Sequence, residues 1–547
     1  MATISRYETS RLGKDNPQFS ALRSTIETAF YGNNVEEVKT ISEAYERAAA
    51  YKGTIVLDQE VAHAEDLGLP KGAKVLVDNG GRVTGRTAAA RHLSGTGEDD
   101  KKLLGIVRDA LYANREREYL TTTAYVGLDE DFMVRARLMV PSEEINNLYS
   151  WLLNFQWASD QMTAMYERSK VYEDESDILI YSDPKWTHPD HPNGFVYFDP
   201  KCNVVIVLGL PYFGELKKGT LTLAWAIARR HGYVSCHGGM KEMITGDKPY
   251  VAAFFGLSGT GKSTLTHAKH EDKYEIKVLH DDAFVISLDD FSSIALEPSY
   301  FDKTQDYPYG HPEQKYFVTA QNVGVSLNEA GEKVLVTEDI RNNNGRTVKS
   351  RHSTPNRVDK FDVPINSVFW LMKDETLPPV VKIEGPELAM IFGLTLTTKR
   401  STAENLVPGT NMEKLVIEPF ANPFRVYPLQ EDCDSFEQLF NSGEVHGYIL
   451  NTGFFMDKKI TPAVTLGIIE SLVEERAEFV PFGPLEELSY MPIEGYEPDF
   501  ADEAYRKLLH ERLNDRAQWI KEISVEKEPL KASYYETLNA LVEKLAK

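Results

Sequence analysis

Val38–Tyr51 (VKTISEAYERAAAY) repeats its apolar positions at helical spacing, and Ser142–Trp157 places Leu148, Trp151, Leu152 and Phe155 on one face of a second helix. The pattern then shortens. Ile178–Tyr181, Gly194–Phe198 and Val204–Leu208 are β-rich runs bounded by Asp, Pro and Asn, and are predicted strands. Asp183–Asn193 (DPKWTHPDHPN) carries three prolines and reads as a loop. Thr220–Arg230 has a helical pattern, whereas Tyr250–Phe255, Ile276–Leu279, Phe284–Ile286, Lys333–Val336 and Val368–Met372 read as strands. Gly246-Asp247-Lys248-Pro249 is turn-rich and reads as a hinge between halves. From Phe500 onward the pattern is helical and highly charged, as in a solvated helical tail. No period of about 20–50 residues recurs, which excludes solenoids and propellers. The elements predict an α/β protein with an N-terminal domain over 1–245, a nucleotide-binding domain over 246–499 and a tail over 500–547.

Composition narrows the partners. Among 547 residues, 83 acids face 60 Lys and Arg, a net charge of −23, which argues against tracking nucleic-acid phosphates. An anionic small molecule would be repelled by the average surface, so a site for one must bring its own cations. Three cysteines, Cys202, Cys236 and Cys433, are too few and too scattered for a disulfide framework and fit a reducing compartment. Met1–Gln18 is polar without an apolar core, and the longest aliphatic run, Val204–Leu208 with Gly209 and Leu210 after it, is far short of a bilayer span. The expectation is a cytoplasmic protein with no membrane partner.

Gly256-Leu257-Ser258-Gly259-Thr260-Gly261-Lys262-Ser263 satisfies G-x-x-x-x-G-K-[ST] in full, between a strand-like YVAAFF and a helix opening at Ser263-Thr264. Glycines let backbone N–H groups turn toward phosphates, Lys262 neutralises the β and γ oxygens, and Ser263 offers a hydroxyl to Mg2+. Eighteen residues beyond Ser263 lies Asp281, and Asp281-Asp282 interrupts an apolar strand. Two adjacent acids inside a strand are costly to bury unless a cation meets them, which points to a divalent metal. Upstream, Tyr212-Phe213-Gly214-Glu215-Leu216-Lys217-Lys218-Gly219 precedes His237-Gly238-Gly239. By themselves a lysine pair is usually solvated and a lone histidine usually structural; either group could also be cationic or metal-binding.

In this order and at these distances, the motifs resemble the ATP-dependent phosphoenolpyruvate carboxykinases. Thr84-Gly85-Arg86 is similar to that family's substrate loop, Leu377-Pro378-Pro379-Val380 to its adenine-side segment, and Asn451-Thr452-Gly453 to its Asn-Thr-Gly motif. The loop lacks the cysteine of the GTP-dependent relatives. The resemblance, over roughly residues 80–470, implies a two-domain architecture with a P-loop nucleotide-binding domain and an active site in the cleft between domains. It implies oxaloacetate + ATP = phosphoenolpyruvate + ADP + CO2, in gluconeogenesis or anaplerosis, with Mn2+ and Mg2+. It also implies roles: Lys218, His237 and Asp282 hold manganese, with Lys218 ligating as a neutral amine aided by the charge of Lys217. Arg86 holds the substrate carboxylate, Tyr212 lines the substrate or CO2 pocket, Lys262 follows the γ-phosphate, Ser263 binds magnesium and Asp281 orients its waters. An arginine on the transferring phosphate is expected within Glu338–Arg351; Arg346 fits best, with Arg341 and Arg351 as alternatives. Thr465 and Glu297 are candidates on the nucleotide.

The departures are local. After Thr-Gly-Arg the chain reads Thr87-Ala88-Ala89-Ala90-Arg91 where the family has Ser-Pro-Lys-Asp-Lys, and Asp289-Asp290-Phe291-Ser292-Ser293 replaces a lysine-bearing segment. Lys459 stands where the family has an arginine. Two other readings stay open: a P-loop kinase of another small carboxylate, and a nucleotide-binding regulator with decayed catalysis.

Overall fold

The computed structural model describes residues 20–79, 90–95, 99–172, 174–257, 259–338, 345–399, 415–526 and 528–546. Their contacts divide into two units that interleave along the chain. The first is drawn from Met1–Ile227 and Leu296–Pro355, the second from Ala228–Ala295, Asn356–Glu404 and Gly409–Lys547. The expected contiguous division at 245 differs from this one, and the local reason is clear. Gly246-Asp247 turns a tight antiparallel hairpin whose register runs from Gly239↔Phe254 to Thr245↔Lys248. Turn residues mark hairpins as readily as linkers.

The first unit is built on an eight-stranded sheet. Its order is Val35–Glu37, Tyr119–Asp129, Phe132–Pro141, Ile178–Asp183, Val204–Leu208, Phe195–Asp199 and Arg91–Leu93, with Gln156–Trp157 also paired to Tyr119–Asp129. The aliphatic run Val204–Leu208 is a central strand, wholly buried, which is why it lacks alternation. Helix Ile145–Asn154 is buried on every side, so the apolar face predicted there is only part of its contact surface. A five-stranded sheet follows, in the order Tyr300–Lys303, Arg346–Lys349, Phe317–Gln321, Lys74–Asp78 and Ile55–Glu60. Helix α1 (Phe213–Arg230) starts seven residues before the predicted Thr220 and takes in the whole lysine segment. Gly214 makes that start possible, because a Cβ there would lie 2.3 Å from the Tyr212 ring folded over the first turn.

In the second unit, β1 (Tyr233–His237), β2 (Gly239–Thr245), β3 (Lys248–Phe255), α2 (Lys262–His267), β4 (Glu275–His280) and β5 (Ala283–Ser287) follow one another. Next come β6 (Ser367–Met372), β7 (Val380–Ile383), β8 (His446–Asn451), α3 (Pro462–Val473), β9 (Val480–Phe482) and β10 (Leu485–Tyr490). The large sheet runs β4-β2-β3-β6-β8-β7-β10-β9, and its centre, β3-β6-β8, is parallel. Phe254, Phe369 and Tyr448 sit directly opposite one another across these three strands, their rings stacked at 5.3 and 5.2 Å. Such pairs add about 0.5–1.5 kcal/mol each beyond the area they bury. A smaller sheet holds β1, β5, Ser293–Ala295 and Lys360–Phe361. The chain ends in α4 (Glu503–Glu526) and α5 (Ala532–Leu545), matching the helices predicted after Phe500.

Candidate active site

Two chain crossings between the sheets of the second unit lie side by side. Leaving the small sheet at the end of β1, the chain passes through Gly238 into β2; leaving the large sheet at the end of β4, it passes through Asp281-Asp282 into β5. Because His237 pairs with Ala283 and the Gly238 N–H donates to the Asp282 carbonyl at 3.2 Å, the two crossings are locked together. They bring the His237 imidazole to the Asp282 carboxylate, Nε2 to Oδ1 at 3.1 Å, with Lys262 Nζ 3.4 Å from the same oxygen. His237 Nδ1 donates to the Ala421 carbonyl at 2.5 Å, and the ring stands edge-on to Phe424 at 5.2 Å. With Nδ1 so engaged, Nε2 is the nitrogen turned to Asp282, an orientation typical of a metal-ligating imidazole.

Sequence reasoning missed His280. It is fully buried, and its Nδ1 accepts the N–H groups of Asp282 at 3.0 Å and Ala283 at 3.2 Å, so the side chain shapes the turn carrying both acids. Its only sequence signal is position, directly before Asp281 on an otherwise apolar strand. Asp281 is buried too, with Oδ2 3.5 Å from His267 Nε2. Burial alone would raise its pKa; hydrogen bonding and charge from His267, with His280 and Lys262 behind, hold it far below the usual carboxylate range.

The glycine-rich segment leaves β3 at its carboxyl end, where parallel sheets place ligands. Gly259 (φ 83°) and Gly261 (φ 95°) adopt left-handed backbone, and Thr260 folds inward, its hydroxyl donating to the Leu257 carbonyl at 2.7 Å. A Cβ on Gly256 would lie 2.3 Å from Thr260 Oγ1, and one on Gly239 only 2.0 Å from Thr266 Oγ1, so the β1–β2 crossing touches α2. Lys262 opens α2, and Ser263 and Thr264 are exposed. The ends of the other two parallel strands are joined as well. Asn451, closing β8, donates from Nδ2 to Asp374 O at 2.8 Å and Leu377 O at 2.6 Å, so the Asn-Thr-Gly and Leu-Pro-Pro segments form one structure. Thr465 is buried, with its hydroxyl on the Thr461 carbonyl of its own helix. Lys459 is exposed.

The first unit holds the remaining candidates. Lys217 and Lys218 are consecutive on α1 and therefore point about 100° apart. Lys217 is fully buried, its ammonium 2.9 Å from Glu297 Oε1, while Asn154 Nδ2 donates to Glu297 Oε2. One expectation changes: Glu297, a nucleotide candidate, is a completely buried counter-ion of Lys217. Tyr212 is half-buried, 6.3 Å from the Phe301 ring. Arg346 opens a strand of the five-stranded sheet and is half-buried, as is Arg351. Arg91 Nη2 lies 3.8 Å from Glu215 Oε2. Arg86, Ser258 and Arg341 lie outside the described residues. A separate surface trio, His63, Asp66 and His352, gathers its ligand atoms within 4.8 Å. Its two imidazoles stack at 4.3 Å and 17°, so their lone pairs run side by side without converging.

No described helix is long and apolar enough to cross a membrane. Residues 96–487 match the family model of phosphoenolpyruvate carboxykinase of the ATP type. Among similar curated proteins, the phosphoenolpyruvate carboxykinase (ATP) of Aeropyrum pernix is 26% identical over 360 residues, 61% of this chain and 70% of that protein. Those of Staphylococcus haemolyticus and Staphylococcus aureus strain Newman are 25% identical over 374 and 375 residues, 65% of this chain and 65% of each relative's length. With the family match spanning well over half of its length, the chain belongs to the ATP-type phosphoenolpyruvate carboxykinase family.

Proposed function

We propose that the chain is an ATP-dependent phosphoenolpyruvate carboxykinase, a carboxy-lyase that converts oxaloacetate and ATP to phosphoenolpyruvate, ADP and CO2. The supporting observation is the convergence of His237, Asp282 and Lys262, one imidazole, one carboxylate and one ammonium within 3.4 Å of a shared oxygen, beside the glycine-rich loop. The imidazole nitrogen and carboxylate oxygen fit a divalent cation such as Mn2+. Lys218 would be its third protein ligand and Ser263 would serve Mg2+ on the nucleotide. When bound, such cations supply positive charge where the enolate oxygen and the transferring phosphoryl group carry negative charge.

The residues then divide the work. Arg86 holds the substrate carboxylate bidentately while the bond to the departing CO2 breaks, leaving an electron pair as the enolate. The enolate oxygen attacks the γ-phosphorus, and ADP leaves with the electrons of the broken P–O bond. Lys262 moves from Asp282 to the γ-phosphate, Arg346 neutralises the same group, and Asp281, kept ionised, would orient the water shell of a bound magnesium ion. Tyr212 lines the pocket that CO2 leaves. Exclusion of water from the site would keep the enolate from becoming pyruvate. A cytoplasmic setting suits both substrates.

The test is an assay with phosphoenolpyruvate, bicarbonate, ADP and Mn2+, coupled to malate dehydrogenase. NADH consumption is the expected result; none, from a folded and ATP-binding protein, overturns the reading. His237→Ala should weaken Mn2+ binding and turnover while sparing ATP binding, and an equal loss of both contradicts the role given to His237.

A further inference from the structure

We propose that Lys241 is a positioning residue for the nucleotide-binding helix α2, its ammonium gripping the carbonyl end of that helix and thereby fixing the aim of Lys262 and Ser263. The inference rests on the nucleotide-binding reading above.

Lys241 stands in the middle of β2, opposite Ala252 of β3 and Val278 of β4, and is fully buried. An interior ammonium is costly unless its donors are met. Here three donors find three acceptors: Leu265 O at 2.7 Å, Ala268 O at 3.3 Å and His270 Nε2 at 2.8 Å. The two carbonyls belong to the last turn of α2 and its cap. Accepting from Lys241 at Nε2 places the His270 proton on Nδ1, which donates to Glu470 Oε1 of α3 at 3.1 Å. One continuous chain of polar contacts therefore runs from α2 through Lys241 and His270 to α3.

The backbone leaving α2 gives an independent sign of restraint. His270, Glu271 and Asp272 have φ of 50°, 55° and 58°, three consecutive non-glycine residues in the left-handed region. Such residues persist where their surroundings over-determine them. The polar chain through His270 is that surrounding. A buried methionine or leucine would fill the space without desolvating a charge, and replacements of that kind are often neutral or stabilising. What an apolar residue cannot do is hold two carbonyls at the end of a six-residue helix whose first residue is Lys262.

The charge itself is poised. Among the described residues, the charged groups facing it are Glu470 and, across Glu470, Lys273; His267 of α2 faces Asp281, and Lys277 of β4 is paired with Glu242. Burial pulls Lys241 down to about 7, with Glu470 opposing. Below that pH the group has three protons for three acceptors; above it only two remain, so the grip of Lys241 on its three partners weakens and nucleotide affinity should fall. Folding stability moves the other way. With the folded value under the unfolded 10.5, the unfolded chain holds more protons from about pH 7 to 10.5, and the contribution of this group to stability rises across that window.

The test is ATP binding to the full chain by isothermal titration calorimetry, with magnesium in excess, between about pH 6 and pH 9, beside thermal melting at each pH. Wild type should lose several-fold affinity across that range. Lys241→Met should bind about tenfold more weakly than wild type at low pH and show no pH step, with a melting temperature equal or higher. Glu470→Gln, which keeps Lys241 but removes the opposing charge, should move the step to lower pH. Lys241→Met binding like wild type at every pH overturns the proposal, as does an unmoved step in Glu470→Gln should the methionine variant not fold. Wild type that binds no ATP overturns the functional reading instead.

Discussion

Asp281 and Asp282 are neighbours with opposite surroundings. Asp282 is partly exposed and shares one oxygen with His237 and Lys262, whereas Asp281 is buried against His267. The first arrangement suits exchange with a cation or a phosphate; the second suits a permanently ionised group. Because the Asp281 pKa is depressed, its contribution to stability is complete above the ordinary carboxylate value of about 4 and is lost as pH falls toward the depressed value. Asp281→Asn should therefore be about 1–3 kcal/mol less stable than wild type near neutrality, and the gap should narrow in acid. Urea midpoints at neutral pH and near pH 3 check this. A gap that stays constant or widens in acid would mean that Asp281 is not held ionised by its neighbours.

Helix α1 turns two adjacent lysines into different residues. Lys217 faces inward onto Glu297, and Lys218 points elsewhere on the helix with partial exposure. Lys217→Met leaves Glu297 charged and buried without its main partner, a change that costs about 3–5 kcal/mol. Lys218→Met should lower the melting temperature less than Lys217→Met and abolish carboxykinase turnover. Melting curves and the coupled assay on both variants separate the roles; equal melting temperatures would contradict the split. This helix also shows where sequence reading reaches its limit. Gly214 and Gly219 look like loop residues, yet both lie in the helix, which starts at Phe213 with Tyr212 folded over Gly214. β-Rich composition located Val204–Leu208 and Lys333–Val336 to the residue, and the charged helical pattern found the helices after Phe500, because both are local properties of the chain. The glycine-rich loop, His237 and Asp282 could be singled out because they lie in short motifs, and the structure brings His237, Asp282 and Lys262 together. Lys241 and His280 were not, since a buried lysine or histidine is recognised only by the carbonyls and amides that surround it. Gly246–Pro249 was ambiguous for the same reason: pairing partners decide between hinge and hairpin.

At the scale of the whole molecule, a net charge of −23 describes the surface, while several cations are placed inside. Arg516 is the clearest case in the C-terminal helices, which the sequence suggested were merely solvated. Its guanidinium is buried, donating to Asp374 Oδ2 at 3.0 Å and to the Thr395 carbonyl. Two more residues of α4 act on the same place: Tyr505 donates to Thr376 O at 2.9 Å, and Arg512 pairs with Glu375 at 2.7 Å. All three reach the segment that leaves β6 and leads to Leu377-Pro378-Pro379, which Asn451 grips from β8. The tail is thus a buttress for the strand ends that the functional reading places beside the nucleotide. Arg516→Leu leaves Asp374 buried without its ion-pair partner and should destabilise the second unit by about 3–5 kcal/mol. Asp374→Leu combined with Arg516→Leu removes both charges and should cost less than the sum of the single changes, since the two residues touch. A thermal and urea unfolding series on the three variants measures the coupling. If Arg516→Leu costs no more than an ordinary surface change, within about 0.5 kcal/mol, the helices are a solvated appendage after all. If the double variant instead recovers most of the loss, the pair is a specific joint between the tail and the nucleotide-side segment. ATP affinity in that double variant then reports how firmly the joint holds the segment in place.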